Sequence, residues 1–130
     1  LEIGELASAL STTPELRRLM VRRQQELVGQ GGVILEGRDA TTVIAPRAQV
    51  KVYLTASLEE RAKRRTLELK EKGHGEEFTR VRQQIQNRDH RDVTREDSPL
   101  TVAPDATIVE TGGKSIEDVI EEILRLAEAA

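Results

Sequence analysis

The spacing of apolar positions predicts five helices along the chain. In the first two, 1–10 and 14–28, apolar side chains recur every three or four residues, which is the repeat of an α-helix. Thr13 is a capping residue type placed directly before the second helix, and Pro14 suits a first helical position. The glycine-rich stretch at 29–32 is then expected to end this helix.

The other three helices also follow residue types that begin helices. Ser57 and Glu60 form a capping-box signature ahead of a basic helix that extends to Gly73. A very polar helix is predicted over 76–92, and Ser115 begins a final amphipathic helix. We expect the inner face of that last helix to consist of Ile116, Val119, Ile120, Ile123, Leu124 and Ala127.

Three short apolar segments between these helices predict β-strands. Residues 33–36 form a continuous apolar run closed by glycine, which suits a strand buried on both faces. Residues 50–55 alternate in polarity, and 106–111 form the third short segment. Because strands alternate with helices, the pattern predicts an α/β fold with a mainly parallel sheet.

One region departs from this alternation. Between the second and third predicted strands lie two consecutive polar helices, joined by a Gly-His-Gly hinge at 73–75. A polar helical hairpin inserted into an α/β domain is typical of a mobile lid. We therefore predict a lid at about 61–92, and we expect residues 1–130 to be the core and lid portion of a single domain.

Composition narrows the classes of function. The 20 basic and 23 acidic residues are interspersed and leave a net charge of −3, so we expect no nucleic-acid or membrane partner. No apolar run approaches the roughly 20 residues of a membrane span. The absence of cysteine excludes disulfides and thiolate catalysis and agrees with a cytoplasmic location, which we expect. Two distant histidines are too few for a histidine-based metal motif, and we predict no metal ligand in this chain.

Fifteen arginines against five lysines direct attention to sites for anions, because the planar guanidinium suits carboxylate and phosphate. In EGRDATT (36–42), Arg38 and Asp39 follow a predicted strand, where open α/β sheets bind ligands. An ordinary turn is the alternative interpretation. In ASLEERAKRR (56–65) the arginines form either a phosphate clamp or a solvated face.

The stretch NRDHRDVTRED (87–97) places Arg88, Asp92 and Arg95 on one side of a helix, at i, i+4 and i+7. Considered alone, this spacing is explained by local pairing of Arg88 with Asp92, worth a few tenths of a kcal/mol. We expect His90 to be a surface residue. Most arginines of the helix after STTPEL are also expected at the surface.

Taken in order, four stretches resemble one family. EGRDATTVIAPRAQVKVYLTASLEERAKRR, KEKG, NRDHRDVTREDSPL and SIEDVIEEIL are similar to the carboxyl-terminal two-thirds of the bacterial cytidylate kinases. The resemblance implies a P-loop nucleoside-monophosphate-kinase-like parallel sheet with a helical lid. It also implies transfer of the γ-phosphoryl group of ATP to CMP or dCMP, with Mg²⁺.

The resemblance further implies roles for individual residues. It assigns the cytosine ring to Arg17 and Asp39, the sugar hydroxyls to Ser8, Arg88 and Asp92, and phosphate to Arg38 and Arg95. It assigns the ATP phosphates to the lid residues Arg61, Arg64 and Arg65. The residues expected to act in catalysis are Arg38, Arg95, Arg61 and Arg64. An Asp39 carboxylate that accepts from the exocyclic amine would distinguish cytosine from uracil.

The chain departs from the family pattern in two places. After Gly-Arg-Asp the family continues with Ile or Met and then Gly-Thr, whereas this chain has Ala40-Thr41-Thr42, and a β-branched residue disfavours a turn with positive φ. In addition, no G-x-x-x-x-G-K-[ST] occurs.

From this second departure we expect the P-loop strand and the monophosphate-binding subdomain to precede Leu1, and ATP and Mg²⁺ to be bound mainly there. The sheet would then have a gap between the strands at 33–36 and 50–55. We expect the chain alone to be inactive and the full-length protein to be a monomer. The alternatives are a non-catalytic nucleotide-binding or interaction module, and a P-loop kinase for another small phosphoryl acceptor.

Overall fold

The computed structural model describes residues 2–130, and it contains five α-helices joined by loops and a two-stranded sheet. The helices are α1 (Glu2–Leu10), α2 (Pro14–Val28), α3 (Leu58–Glu71), α4 (Phe78–Thr94) and α5 (Ile116–Glu128). The strands are β1 (Val52–Thr55) and β2 (Thr107–Glu110), and a short π-helical turn covers Ala40–Ile44. Within the described residues, no helix is both long and apolar enough to cross a bilayer.

Helix α2 begins and ends at the expected residues, but the expected capping hydrogen bond is missing. Pro14 occupies the first turn, and Gly29 ends the helix with a φ of +48°, a conformation that favours glycine. Thr13 has the extended backbone of a capping residue, but its side chain makes no capping hydrogen bond. The prediction that Thr13 caps this helix through its hydroxyl is therefore wrong.

The two strands pair in parallel, as the alternation of strands and helices predicts. Val52 lies beside Thr107, and the register continues to Thr55 beside Glu110. Val109 is fully buried, whereas its neighbour Leu54 is half exposed.

The predicted strand at 33–36 is not formed. This stretch has no regular secondary structure, and the Ile34 side chain is fully exposed. A strand is held by hydrogen bonds to a neighbouring strand, and among residues 2–130 no strand pairs with this stretch. The prediction of a strand buried on both faces is therefore wrong for this structure.

Helices α3 and α4 pack against one another as the hairpin that the polar helical stretch predicts. Ala62 and Leu69 from α3 and Val81 from α4 are buried. The Arg82 guanidinium donates twice to Glu59, at 3.0 and 2.9 Å. The connection between the two helices includes Gly73, with a φ of +77°. The pair forms one packed unit, and its motion as a lid remains a prediction.

Helix α5 begins with a complete capping box but has a largely exposed apolar face. The Ser115 hydroxyl accepts from the Asp118 amide at 3.1 Å, and the Asp118 carboxylate accepts from the Ser115 amide at 3.2 Å. Hydrogen bonding of the Asp118 carboxylate to the Ser115 side chain and to the Ser115 amide, with the charge of Lys114, lowers the pKa of Asp118. Ile116, Ile120 and Leu124 are nevertheless half exposed or more. Val119 and Ile123 on the same face are only partly buried. The prediction that this face packs fully on a core is therefore wrong for this structure.

The two capping positions provide a matched test. We expect Ser115→Ala to lower the free energy of unfolding by about 1 kcal/mol, because it removes a formed capping bond. Thr13→Ala should change that energy by less than about 0.5 kcal/mol, because the threonine hydroxyl makes no such bond. Chemical denaturation followed by circular dichroism measures both, and equal losses would contradict the assignment of the caps.

Candidate functional site

One cavity of about 390 Å³ lies between α1, α2, α4 and the segment that precedes the π-helical turn. It is lined by charged side chains from α2, from α4 with its capping residue and from that segment, by Ser8 of α1, and by an apolar wall that includes Leu16 and Met20. The structure brings together in this cavity all seven residues to which the family resemblance assigns substrate binding. They are Ser8, Arg17, Arg38, Asp39, Arg88, Asp92 and Arg95.

Arg17 and Asp39 form a largely buried ion pair at one side of the cavity. Arg17 Nη1 donates to Asp39 Oδ2 at 2.8 Å, and its Nε donates to the carbonyl of Ser11 at 2.9 Å. Among the described residues, nothing donates to the second carboxylate oxygen of Asp39 or accepts from Arg17 Nη2. The pair therefore offers one acceptor and one donor, side by side, to a ligand.

A second buried carboxylate, that of Asp92, lies among three arginines. Arg38 Nε donates to Asp92 Oδ2 at 2.7 Å, and Arg95 Nη1 donates to Oδ1 at 3.4 Å. Arg88 Nε lies 4.0 Å from Oδ2, which is too long for a hydrogen bond. The expected local pair of Arg88 with Asp92 is thus only a loose contact, and the tight partner is Arg38, 54 residues away in sequence.

Buried donors without acceptors point to a ligand in this cavity. Arg88 Nε and Arg95 Nη2 are both buried and have no hydrogen-bond partner. The Arg95 side chain is almost fully buried, and burial together with the nearby Arg17 lowers the pKa of its guanidinium. Unpartnered buried donors cost free energy, so they are expected where a ligand completes the hydrogen bonding.

The backbone of Arg95 and its neighbours also shapes the site. Arg95 Nε donates to the carbonyl of Ser98, which is the non-glycine residue with positive φ (51°) in the described chain. Left-handed backbone is unfavourable for serine, and such conformations occur at functional sites. This loop thus holds Arg95 in a fixed orientation.

The unusual sequence after Gly-Arg-Asp does not require a left-handed turn. Ala40 and Ile44 are buried at the two ends of the π-helical turn, and Thr41 between them is not among the residues with positive φ. The turn packs on α2, where Gln25 donates to the carbonyl of Val43 at 2.9 Å. The expected difficulty of a β-branched residue at this position therefore does not arise.

The three lid arginines lie outside the cavity and are engaged elsewhere. Arg61 pairs with Asp89 of α4 at 2.7 Å, and Arg65 pairs with Glu68 of its own helix at 2.7 Å. Arg64 donates to both the hydroxyl and the carbonyl of Thr111, at the end of β2. These contacts join the helical hairpin to itself and to the sheet, and the expected contact of the three arginines with ATP phosphates remains a prediction.

Sequence reasoning missed Arg91. Its Nη2 donates to Glu5 at 3.1 Å and its Nε to the Ser8 hydroxyl at 3.3 Å, so it joins α4 to α1 at the cavity wall. The signal that would have found it is its spacing, because a residue three positions after Arg88 lies on the same side of the helix.

The lining residues define what the cavity can bind. Four guanidinium groups against two carboxylates leave a formal charge of +2. Among the described residues there is no group of three potential metal ligands, and Asp39 and Asp92 are both occupied by arginines. The residues present therefore do not form a Mg²⁺ site. A cationic cavity with an apolar wall and a polar donor–acceptor pair is typical of proteins that bind a phosphorylated small molecule.

Comparison with known proteins agrees with a protein that binds a phosphorylated small molecule, and it identifies the family. The family model described as cytidylate kinase matches residues 1–129. The chain is 46% identical over 125 residues to a cytidylate kinase of Caldicellulosiruptor bescii, covering 96% of this chain and 55% of the relative. It is 45% identical to that of Aquifex aeolicus and 43% identical to that of Proteus mirabilis, each over 125 residues, 96% of this chain and 56% of the relative.

The chain belongs to the cytidylate kinase family, which confirms the resemblance seen in the sequence. The family is one of phosphotransferases and implies a P-loop nucleoside-monophosphate-kinase fold, with which the small parallel sheet and the many helices agree. The chain spans about 55% of the length of the curated relatives that it matches.

Proposed function

We propose that the protein carrying this chain transfers the γ-phosphoryl group of ATP to CMP or dCMP, and that the arginine-lined cavity binds the monophosphate. The observation that carries this proposal is the cavity itself, with its charge of +2, its unpartnered buried donors and its free acceptor on Asp39. A nucleoside monophosphate has a phosphate of about −2 charge and a base with polar edges. The phosphate complements the arginines of the cavity, and the base complements the Arg17–Asp39 pair.

In the proposed complex, the base lies at the Arg17–Asp39 pair. The free oxygen of Asp39 accepts from the exocyclic amine of cytosine, and Arg17 Nη2 donates to the ring carbonyl. Uracil has a carbonyl where cytosine has the amine, so it would place two acceptors face to face. A buried site built to pair with an amine rejects the analogue that lacks it.

The phosphate lies at the opposite end, against Arg38 and Arg95, and the sugar hydroxyls lie at Ser8, Arg88 and Asp92. Asp92 also holds Arg38 and Arg95 by hydrogen bonds, which orients their remaining N–H groups toward the cavity. In the reaction, a phosphate oxygen of CMP forms a bond to the γ-phosphorus of ATP. The bond from that phosphorus to the bridging oxygen of ADP breaks, which yields CDP and ADP. Guanidinium groups at this position neutralise charge on the transferring group.

The lid residues Arg61, Arg64 and Arg65 are proposed to meet the phosphates of ATP when the α3–α4 hairpin closes. The ionic contacts of Arg61 and Arg65 involve partly exposed carboxylates, and such pairs are weak enough to exchange for phosphate. Mg²⁺ would shield the phosphate charges when ATP is bound, as in phosphoryl transfer generally. This chain contributes positioning and charge.

Coupled measurement of ATP consumption tests this function. The protein is assayed as it is encoded, with CMP, dCMP, UMP and AMP as acceptors, and we expect CMP or dCMP to give the highest kcat/KM. Preference for UMP or AMP would overturn the assignment of cytosine to the Arg17–Asp39 pair. Binding of CMP by calorimetry without ATP consumption would instead support a non-catalytic nucleotide-binding module.

A further inference from the structure

We infer that Arg91 is a positioning residue that turns the Ser8 hydroxyl into a hydrogen-bond donor toward the cavity. This inference rests on the proposed function only in that the cavity must bind a nucleoside monophosphate. It starts from the contact of Arg91 with two residues of α1, Glu5 and Ser8, which lie one turn apart on that helix.

The geometry sets the polarity of the serine. A hydroxyl has one hydrogen to donate and two lone pairs that accept. Because Arg91 Nε donates to Ser8 Oγ, one lone pair is occupied by the arginine. No described residue accepts from the Ser8 hydroxyl, although Ser8 is buried and lines the cavity. Its hydrogen is therefore available to an acceptor on the ligand.

Glu5 fixes the direction of the guanidinium. Arg91 Nη2 donates to Glu5 at 3.1 Å while Nε reaches Ser8, so the planar fork is held at two points. A lysine has a single nitrogen on a flexible chain and cannot reproduce both contacts with one orientation. Arg91 does not line the cavity itself, so its effect on a ligand must pass through α1.

A double-mutant cycle tests whether that effect passes through the Ser8 hydroxyl. In the protein as encoded, we expect Arg91→Met to weaken CMP binding about five-fold, the equivalent of one hydrogen bond. In a Ser8→Ala background the same change should have less than about a two-fold effect, because the hydroxyl that Arg91 orients is absent. Arg91→Lys should behave like Arg91→Met. Isothermal calorimetry with CMP measures the four affinities of the cycle and that of Arg91→Lys.

The matched control is Arg80→Met, on the same helix. Arg80 pairs with Glu76 at 3.3 Å, is largely exposed, and lies away from the cavity, so its removal should leave CMP affinity unchanged. An equal loss from Arg91→Met with and without Ser8 would overturn the inference and indicate general docking of α1. Wild-type affinity of Arg91→Met would also overturn it.

The test of Arg91 can succeed or fail independently of the test of the proposed function. If the acceptor assay selects UMP or AMP, the cytosine assignment fails, and the same cycle run with the selected nucleotide still tests Arg91. Hydrogen exchange of the α1 amides adds a readout without ligand. Exchange should be faster in Arg91→Met and unchanged in Ser8→Ala, since the bond to Glu5 survives only in the latter.

Discussion

Asp92→Asn is expected to lower the free energy of unfolding by about 2–3 kcal/mol and to weaken CMP binding about 100-fold. Asp92 is buried and is the carboxylate around which Arg38, Arg88 and Arg95 gather. Removing one partner of a buried ion pair leaves uncompensated charge, here on the buried guanidinium of Arg95. An amide also directs hydrogens at guanidinium groups that need an acceptor, so the arginines lose their orientation toward phosphate.

Chemical denaturation and isothermal calorimetry with CMP measure these two effects. Glu26→Gln is the control, because Glu26 pairs with Arg23 at 3.0 Å in an exposed position and should contribute less than about 0.5 kcal/mol. Wild-type stability together with wild-type affinity in Asp92→Asn would contradict the role of Asp92 as the centre of the arginine cluster.

The second large effect is expected for Asp39→Ala, in the selection of the base. We expect kcat/KM with CMP to fall about 100-fold and the ratio of kcat/KM for CMP to that for UMP to fall at least about 30-fold. The change removes the acceptor for the exocyclic amine, and a hydrogen bond to a charged group is worth about 1.5–3 kcal/mol. It also leaves Arg17 with one donor unpaired, which favours a carbonyl at that position.

A neighbouring ion pair supplies the control for this measurement. Asp97 pairs with Arg18, the residue after Arg17 on α2, and the arginine is well exposed. Asp97→Ala should therefore leave the CMP-to-UMP ratio unchanged. If Asp39→Ala retained the wild-type ratio, the phosphoryl acceptor would be recognised elsewhere, and a kinase for another small acceptor would be favoured.

The helices could be predicted from sequence because their signals are local. All five α-helices lie where the apolar spacing places them, and Ser57 and Ser115 both accept a capping bond from the residue three positions later. Whether residues 33–36 form a strand could not be predicted reliably, because a strand is stable only when a neighbouring strand pairs with it. The same is true of the apolar face of α5, whose pattern specifies that it be covered and does not specify by what.

In the site, too, local sequence patterns identified residues, whereas contacts between residues distant in sequence could be seen only in the structure. The resemblance to the family selected seven residues from three separate stretches, and the tertiary structure brings all seven to one cavity. It also replaced the expected local pair of Arg88 and Asp92 by the distant pair of Arg38 and Asp92. Guanidinium groups have several donors, so sequence spacing alone does not decide which carboxylate each one binds.

The sequence by itself determined the helices, the parallel pairing of two strands, membership in the cytidylate kinase family and the identity of the charged residues. These follow from periodicity, capping types and motif order, which are properties of the chain. Only the tertiary structure decided which arginine holds Asp92, which oxygen of Asp39 remains free, and that Arg91 reaches Ser8 across 83 positions. Such contacts depend on how α1, α2 and α4 pack, and packing brings together side chains that no local pattern relates.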